Sequence, residues 1–178
     1  IIHFREAFHG RTGYTMTMTN TADPNKTNYY AKFDWPRVMN PKVRFPMEGK
    51  NLEATLEDER AAEKEIKDIL ERRGDDIAAI IVEPIQGEGG DNHFRPEFLQ
   101  FLRKTADEHD VILIFDEVQC GMGTSGKVWA CQHHGVIPDI ICFAKKAQVG
   151  GMLCHNRLME EPNNVYTIPS RISSTWGS

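Results

Sequence analysis

The sequence predicts an α/β fold with a mostly parallel sheet flanked by helices. Two observations carry that expectation. Three short apolar runs, residues 77–82, 111–115 and 140–144, have the composition of strands buried on both faces. Two longer segments, residues 52–73 and 95–109, show helical spacing, and alternation of such strands and helices builds parallel sheets.

Taken in order, residues 1–6 read as a short strand ending near Gly10. Residues 14–50 carry Pro24, Pro36, Pro41 and Pro46 without a sustained period and are expected to be irregular. A loop of that length is usually functional or covered by other parts of the protein. In residues 52–73, Ala54, Leu56, Ala61, Ala62, Ile66, Ile69 and Leu70 recur at roughly helical intervals among Glu and Lys. Gly74 stands where a C-terminal cap belongs. The apolar strand of residues 77–83 follows. In residues 95–109, Pro96 suits a first helical turn, and Phe98, Leu99, Leu102 and Ala106 form an apolar stripe. Residues 129–134 read as a short helix and residues 151–155 as a candidate fourth strand.

Composition excludes several classes. With 40% hydrophobic and 26% charged residues, the 178-residue chain is expected to be globular, one domain's worth of sequence or part of a larger one. A net charge of −5 argues against a nucleic-acid partner. No apolar run is long enough to span a bilayer, so no membrane partner is expected. The four cysteines form no C-x-x-C pair, and reduced thiols in a cytoplasmic protein are the expectation. The adjacent His133 and His134 cannot share a helix face, so no metal site is expected. The chain starts at Ile1 and stops after Trp176-Gly177-Ser178, which suggests an internal fragment of a longer protein.

Ionisable residues stand at the ends of two apolar runs. Residues 112–115 lead into Asp116-Glu117, and residues 140–144 lead into Lys145-Lys146. Ligands in open α/β sheets bind beyond the carboxyl ends of the strands. Either pair alone reads as an ordinary polar strand end. Together they suggest pyridoxal 5'-phosphate (PLP), which needs a lysine amine and an acid beside its pyridine nitrogen. Adjacent residues at a strand end face opposite ways, so one of Lys145 and Lys146 should reach the cofactor, and spacing alone leaves the two nearly equal.

Three further segments sharpen this. Glu83-Pro84-Ile85-Gln86-Gly87-Glu88-Gly89-Gly90, then Ile114-Phe115-Asp116-Glu117-Val118-Gln119, then Lys145 resemble the class III aminotransferases, fold-type-I PLP enzymes. Phe8-His9-Gly10-Arg11-Thr12 is similar to another motif of that family, and the matches run in family order over residues 8–177. The resemblance implies that Lys145 forms the Schiff base and Asp116 pairs with the pyridine nitrogen. It implies that Phe8 and Val118 pack on the two ring faces, with His9 among the cofactor-binding residues, and that Gln119 bonds the phenolic oxygen. Arg11 would hold a substrate carboxylate and Glu88 would gate substrate entry. Thr175 would reach the phosphate of the neighbouring subunit's cofactor, which implies a homodimer. Cys120 and Thr124 depart from the family's usual Thr and Arg, and Ser178 from its usual Gly. By the same resemblance, residues 1–178 are an incomplete PLP-binding large domain, without the phosphate-loop region upstream or the small C-terminal domain. The segment alone is then expected to be inactive.

Within the family, residues 33–37, 144–149 and 170–177 are most similar to the L-lysine 6-aminotransferase branch. That implies lysine as amino donor and 2-oxoglutarate as acceptor, with 4-aminobutyrate and ornithine or acetylornithine aminotransferases as alternatives. A non-catalytic module retaining the fold is a reading from another class, and bound-PLP absorbance in the full-length protein separates the two. A dehydrogenase would need a G-x-G-x-x-G turn with a ribose-binding acid downstream, and Gly121-Met122-Gly123 lacks that context.

Overall fold

The computed structural model describes residues 1–172. The chain opens with β1 (His3–Phe4), α1 (Gly13–Met18), a 3-10 turn at Pro24–Lys26 and β2 (Arg37–Val38). It continues through α2 (Gly49–Arg73), β3 (Ala79–Val82), the short strands β4 (Ile85–Gln86) and β5 (Asn92–His93), and α3 (Pro96–Glu108). Next come β6 (Ile112–Asp116), a 3-10 turn at Ala130–His133, β7 (Ile140–Phe143), a 3-10 turn at Lys145–Ala147, β8 (Gly151–Cys154) and α4 (Asn156–Met159).

The main sheet has the order β3-β6-β7-β8. β3, β6 and β7 are parallel, and β8 runs antiparallel to β7, so the sheet is mixed. Ile2 bridges to Ile80 in parallel and carries β1 to the far side of β3. α2 buries Thr55, Glu59, Ala62, Ile66 and Leu70, a spacing of three and four that gives one core-facing stripe. α3 buries Phe98, Leu99, Leu102, Thr105 and Ala106, and Pro96 sits in its first turn, where a missing N–H costs nothing. Phe4 meets Phe98 edge to face at 5.9 Å in the middle of this core.

The helices and parallel strands lie where the apolar pattern puts them. Three features differ. Residues 14–50 are not wholly irregular, since they hold most of α1, a 3-10 turn and β2. α1 has six residues, too few to show a period, and β2 exists through its pairing with the distant β1. The third strand is half-buried at all four positions rather than buried on both faces. Its apolar residues rest on β6 and β8, and the Trp129 ring lies 5.8 Å from the ring of Phe143. The antiparallel hairpin β4–β5 has no apolar alternation long enough to announce it.

Asp139 ties one end of the sheet to α3 and α4. Its Oδ2 accepts from Leu113 N–H at 2.8 Å and from Arg103 at 2.9 Å, and its Oδ1 accepts from Arg157 Nε at 2.5 Å. Its own backbone pairs with Leu113 and His155. Burial works against the charge, but the bonds from Arg157, the Leu113 amide and Arg103 outweigh it and hold the carboxyl at about 2. A depressed folded value stabilises the fold at neutral pH by roughly 2 kcal/mol, a contribution lost as pH falls from about 4 through 2. Asp139→Asn should therefore cost about 2–4 kcal/mol at pH 7, because two arginines lose a buried partner. Urea denaturation at pH 7 and at pH 3 checks this, and the gap between variant and wild type should shrink at the lower pH.

Candidate active site

Parallel pairing of β3 with β6 sets Val82 opposite Phe115. The next residues, Glu83 and Asp116, therefore leave the sheet side by side at its carboxyl end. β6 and β7 place Asp116 opposite Cys142, and two residues past β7 the 3-10 turn begins at Lys145. A cavity of about 190 Å³ opens there, lined by Phe8, His9, Gly10, Glu83, Asp116, Val118, Gln119 and Lys145.

Asp116 is buried in its floor. Its Oδ2 meets His9 Nδ1 at 2.8 Å and its Oδ1 accepts from Val118 N–H at 3.1 Å. The His9 side chain is almost wholly buried, and its Nε2 has no hydrogen-bond partner among the described residues. The His9 amide donates to Thr19 Oγ1 at 3.0 Å, and that hydroxyl donates to Gly10 O at 2.7 Å. Gly10 has φ +112°, a conformation that suits glycine, and an added Cβ would lie 2.9 Å from Thr15 Oγ1. Across the cavity, Lys145 Nζ donates to Gln119 Oε1 at 2.6 Å. Lys146 is not among the lining residues.

Glu83 is the second buried acid of the cavity. Its Oε1 accepts from Phe8 N–H at 2.8 Å. Burial pushes this carboxyl up to about 7; the Asp116 charge adds to the rise, while His9 and the Phe8 and Gly87 amides oppose it. Behind the cavity, the buried Gln86 accepts from Asn40 at 2.9 Å and Asn92 at 2.8 Å, and donates to Arg5 O at 3.1 Å. This network locks the segment carrying Phe8 and His9 against the β4–β5 hairpin. The fit is close enough that a Cβ on Gly89 would lie 2.1 Å from the Glu6 carbonyl oxygen.

Six expected site residues thus meet in one cavity: Phe8, His9, Asp116, Val118, Gln119 and Lys145. Arg11 is exposed and Glu88 half-buried, and neither lines it. Glu88 Oε1 is ion-paired with Lys26 at 2.5 Å, and its Oε2 is buried without a partner among the described residues. Thr175 lies outside the described residues. Sequence reasoning assigned no role to Glu83 or Lys26. The strand-end rule that singled out Asp116 and Lys145 applies equally to Glu83, while nothing in the sequence pairs Lys26 with Glu88. Among the described residues no group of three or more His, Cys, Asp or Glu is arranged to hold a metal ion. A larger neighbouring cavity of about 450 Å³ shares Gln119 but sets no lysine opposite an acid.

The α/β sheet thus sets a buried acid and an exposed lysine at adjoining strand ends. The family model of aminotransferase class-III matches residues 1–178, and the chain belongs to that family. It is 49% identical over 177 residues to the L-lysine-epsilon aminotransferase of Mycobacterium tuberculosis (strain ATCC 25618 / H37Rv), covering 99% of this chain and 38% of that protein. Identity to the Streptomyces clavuligerus L-lysine-epsilon aminotransferase is 45%, with the same coverage. The 4-aminobutyrate aminotransferase of Dictyostelium discoideum is more distant, 38% identical over 178 residues and covered to 34% of its length. In three dimensions the chain is similar to lysine aminotransferase from M. tuberculosis, with a TM-score of 0.92 at 48% identity, over 99% of this chain and 40% of that one. The chain therefore spans about two fifths of the length of these lysine-epsilon relatives.

Gly87 offers a test of the site's geometry. A Cβ there would fall 2.0 Å from Gln119 Nε2, the far end of a flexible side chain. Gly87→Ala should displace the Gln119 amide and strip Lys145 of its partner while leaving the backbone in place. In the full-length protein, displacing Gln119 should weaken an activity that uses this cavity about 10-fold, the effect of one lost polar contact. Thermal melting should shift by no more than about 4 °C.

Proposed function

We propose that the full-length protein is a PLP-dependent aminotransferase that moves the terminal amino group of L-lysine to 2-oxoglutarate, giving glutamate and a semialdehyde. The observation that carries this reading is the meeting of the Lys145 amine and the buried Asp116 carboxyl in one cavity. The preference for lysine rests on the higher identity to lysine-epsilon aminotransferases than to 4-aminobutyrate aminotransferases.

The residues present fit the cofactor. Asp116, backed by His9, is a buried acid suited to a protonated pyridine nitrogen, and Gln119 offers an amide for a phenolic oxygen. Phe8 and Val118 are apolar surfaces for a flat ring. When bound, PLP supplies an electron sink for the carbon that loses its proton. Lys145 would anchor the cofactor through its amine and, once released, carry a proton to and from the substrate carbon that bears the amino group. Arg11, exposed beside Gly10, is suited to a two-point grip on a substrate carboxylate. Glu88 would leave Lys26 or keep it according to which substrate enters. Thr175 is proposed to reach the phosphate of the partner subunit's cofactor in a homodimer. We assign residues 1–178 to the large cofactor-binding domain. No helix among the described residues is long and apolar enough to cross a membrane. On its free cysteines we place the protein in the cytoplasm.

The test is a donor panel on the full-length protein with 2-oxoglutarate as acceptor. Lysine should outperform 4-aminobutyrate and ornithine, and a reversed order would refute the lysine assignment while sparing the class. Lys145→Ala should abolish turnover, whereas Lys146→Ala should retain most of it. Asp116→Asn should lower turnover by about 10²–10³-fold, the range of a strong preorganised electrostatic contact.

A further inference from the structure

Glu83 is not accounted for by the roles above. It directly follows a strand whose four residues are all buried, and it is itself 4% exposed. A carboxyl group placed there loses its hydration, and such a loss is tolerated only where hydrogen bonds or a proton compensate it. Its partners are unusual for a structural acid. Among the described residues no lysine or arginine pairs with it; the bonds come from the Phe8 amide at 2.8 Å and the Gly87 backbone. The Phe8 bond joins segments 75 residues apart in sequence and fixes the start of the stretch that carries His9 and Gly10.

The surroundings of Glu83 are defined on every side. From the segment after β1, the buried His9 faces it; from β6, Asp116 does. From the turn after β6, Cys120 feels its charge, and burial pushes that thiol up to about 12, so it brings no charge of its own at neutral pH. From beyond β7, Lys145 lines the same cavity. Two adjacent carboxyls and one imidazole therefore share a floor in which, among the described residues, Asp116 rather than Glu83 bonds the imidazole.

We propose that Glu83 is a positioning residue of the cofactor site, its carboxyl group anchoring Phe8 and thereby the approach of His9 to Asp116, with its charge acting directly on that pair. The inference rests on the PLP reading above. It separates into two parts that different substitutions isolate. Glu83→Gln keeps an oxygen of similar reach for the Phe8 amide but can no longer ionise. Glu83→Ala removes both the anchor and the charge. The sign of the charge effect follows from the carboxyl's raised value of about 7. Its stabilising protonated form is fully present below the unfolded value and is lost as pH rises through 7. Wild type should thus lose stability between pH 5 and 8, and the Gln variant should lose less.

The experiment uses full-length wild type, Glu83→Gln and Glu83→Ala. Retention of added PLP is read from its visible absorption after dialysis, melting temperature is measured on cofactor-free protein from pH 5 to 8, and kcat/KM for lysine is followed over the same range. The Ala variant should hold PLP about 10-fold more weakly, as expected for loss of one charge-assisted anchor. The Gln variant should retain PLP more firmly than Ala, with a flatter fall in melting temperature and a pH profile lacking the ionisation near 7. A purely structural role would lower the melting temperature without moving either pH profile. Unchanged PLP retention and pH profile in Glu83→Ala would overturn the proposal alone. Absence of any cofactor band in wild type would overturn the PLP reading and this proposal with it. If the Ala variant does not fold, the Gln variant decides: a melting profile and a pH–rate profile both as steep as wild type refute the charge role.

Discussion

Val82 lies opposite Phe115, and Asp116 lies opposite Cys142. In a parallel sheet in register, residues that follow such pairs emerge at the same end and the same level. That single constraint delivers Glu83, Asp116 and Lys145 to one cavity from points up to 62 residues apart in the chain (83 to 145). A slip of one residue between β3 and β6 would turn one acid to the opposite face of the sheet and empty the floor of half its charge. The apolar runs of the strands are therefore more than core. Their burial fixes the register, and the register fixes the chemistry.

The acids are kept in place by groups that arrive from outside the sheet. His9 and Phe8 come from the segment after β1, which pairs with β2 and is pinned through Gln86, Asn92 and Asn40 to the β4–β5 hairpin. Gln86 is fully buried, and both its oxygen and its nitrogen are bonded. An amide buried with partners on both ends sets position without adding charge. The hairpin thus serves two tasks: it supports the Phe8 segment from below and presents Glu88 to Lys26 at its turn.

The parallel core was legible because its signals are local. The runs at 77–82 and 111–115 are β-rich and apolar, and the Leu, Phe and Ala stripe of α3 repeats at helical spacing. The placement of Asp116 and Lys145 at neighbouring strand ends was legible for the same reason, since each directly follows an apolar run. What escaped is non-local. β2 is two residues whose only pairing is with β1, and nothing at Arg37 or Val38 announces it. The half-burial of β7 depends on what packs against it, so an apolar run alone overstates its cover. Glu83 sits at a strand end like Asp116, but its meaning comes from the Phe8 amide 75 positions earlier. The exposure of Arg11 and the Lys26–Glu88 pair are likewise products of loop geometry.

The two halves of the cavity rest on unequal ground. The acids stand on β3, buried throughout, and on β6, whose inward residues are sealed by α3 and the aromatic cluster around Phe4. The lysine stands beyond β7, which is half-buried, beside β8, whose first three residues are exposed. Strands with little apolar cover open locally at lower free energy than the core. Within residues 1–172 the carboxyl side is thus the densely packed wall of the cavity and the amine side the thinly covered one. The side chains of Met152 and Leu153 stand open on the lysine's side, an apolar surface that would gain most from being covered.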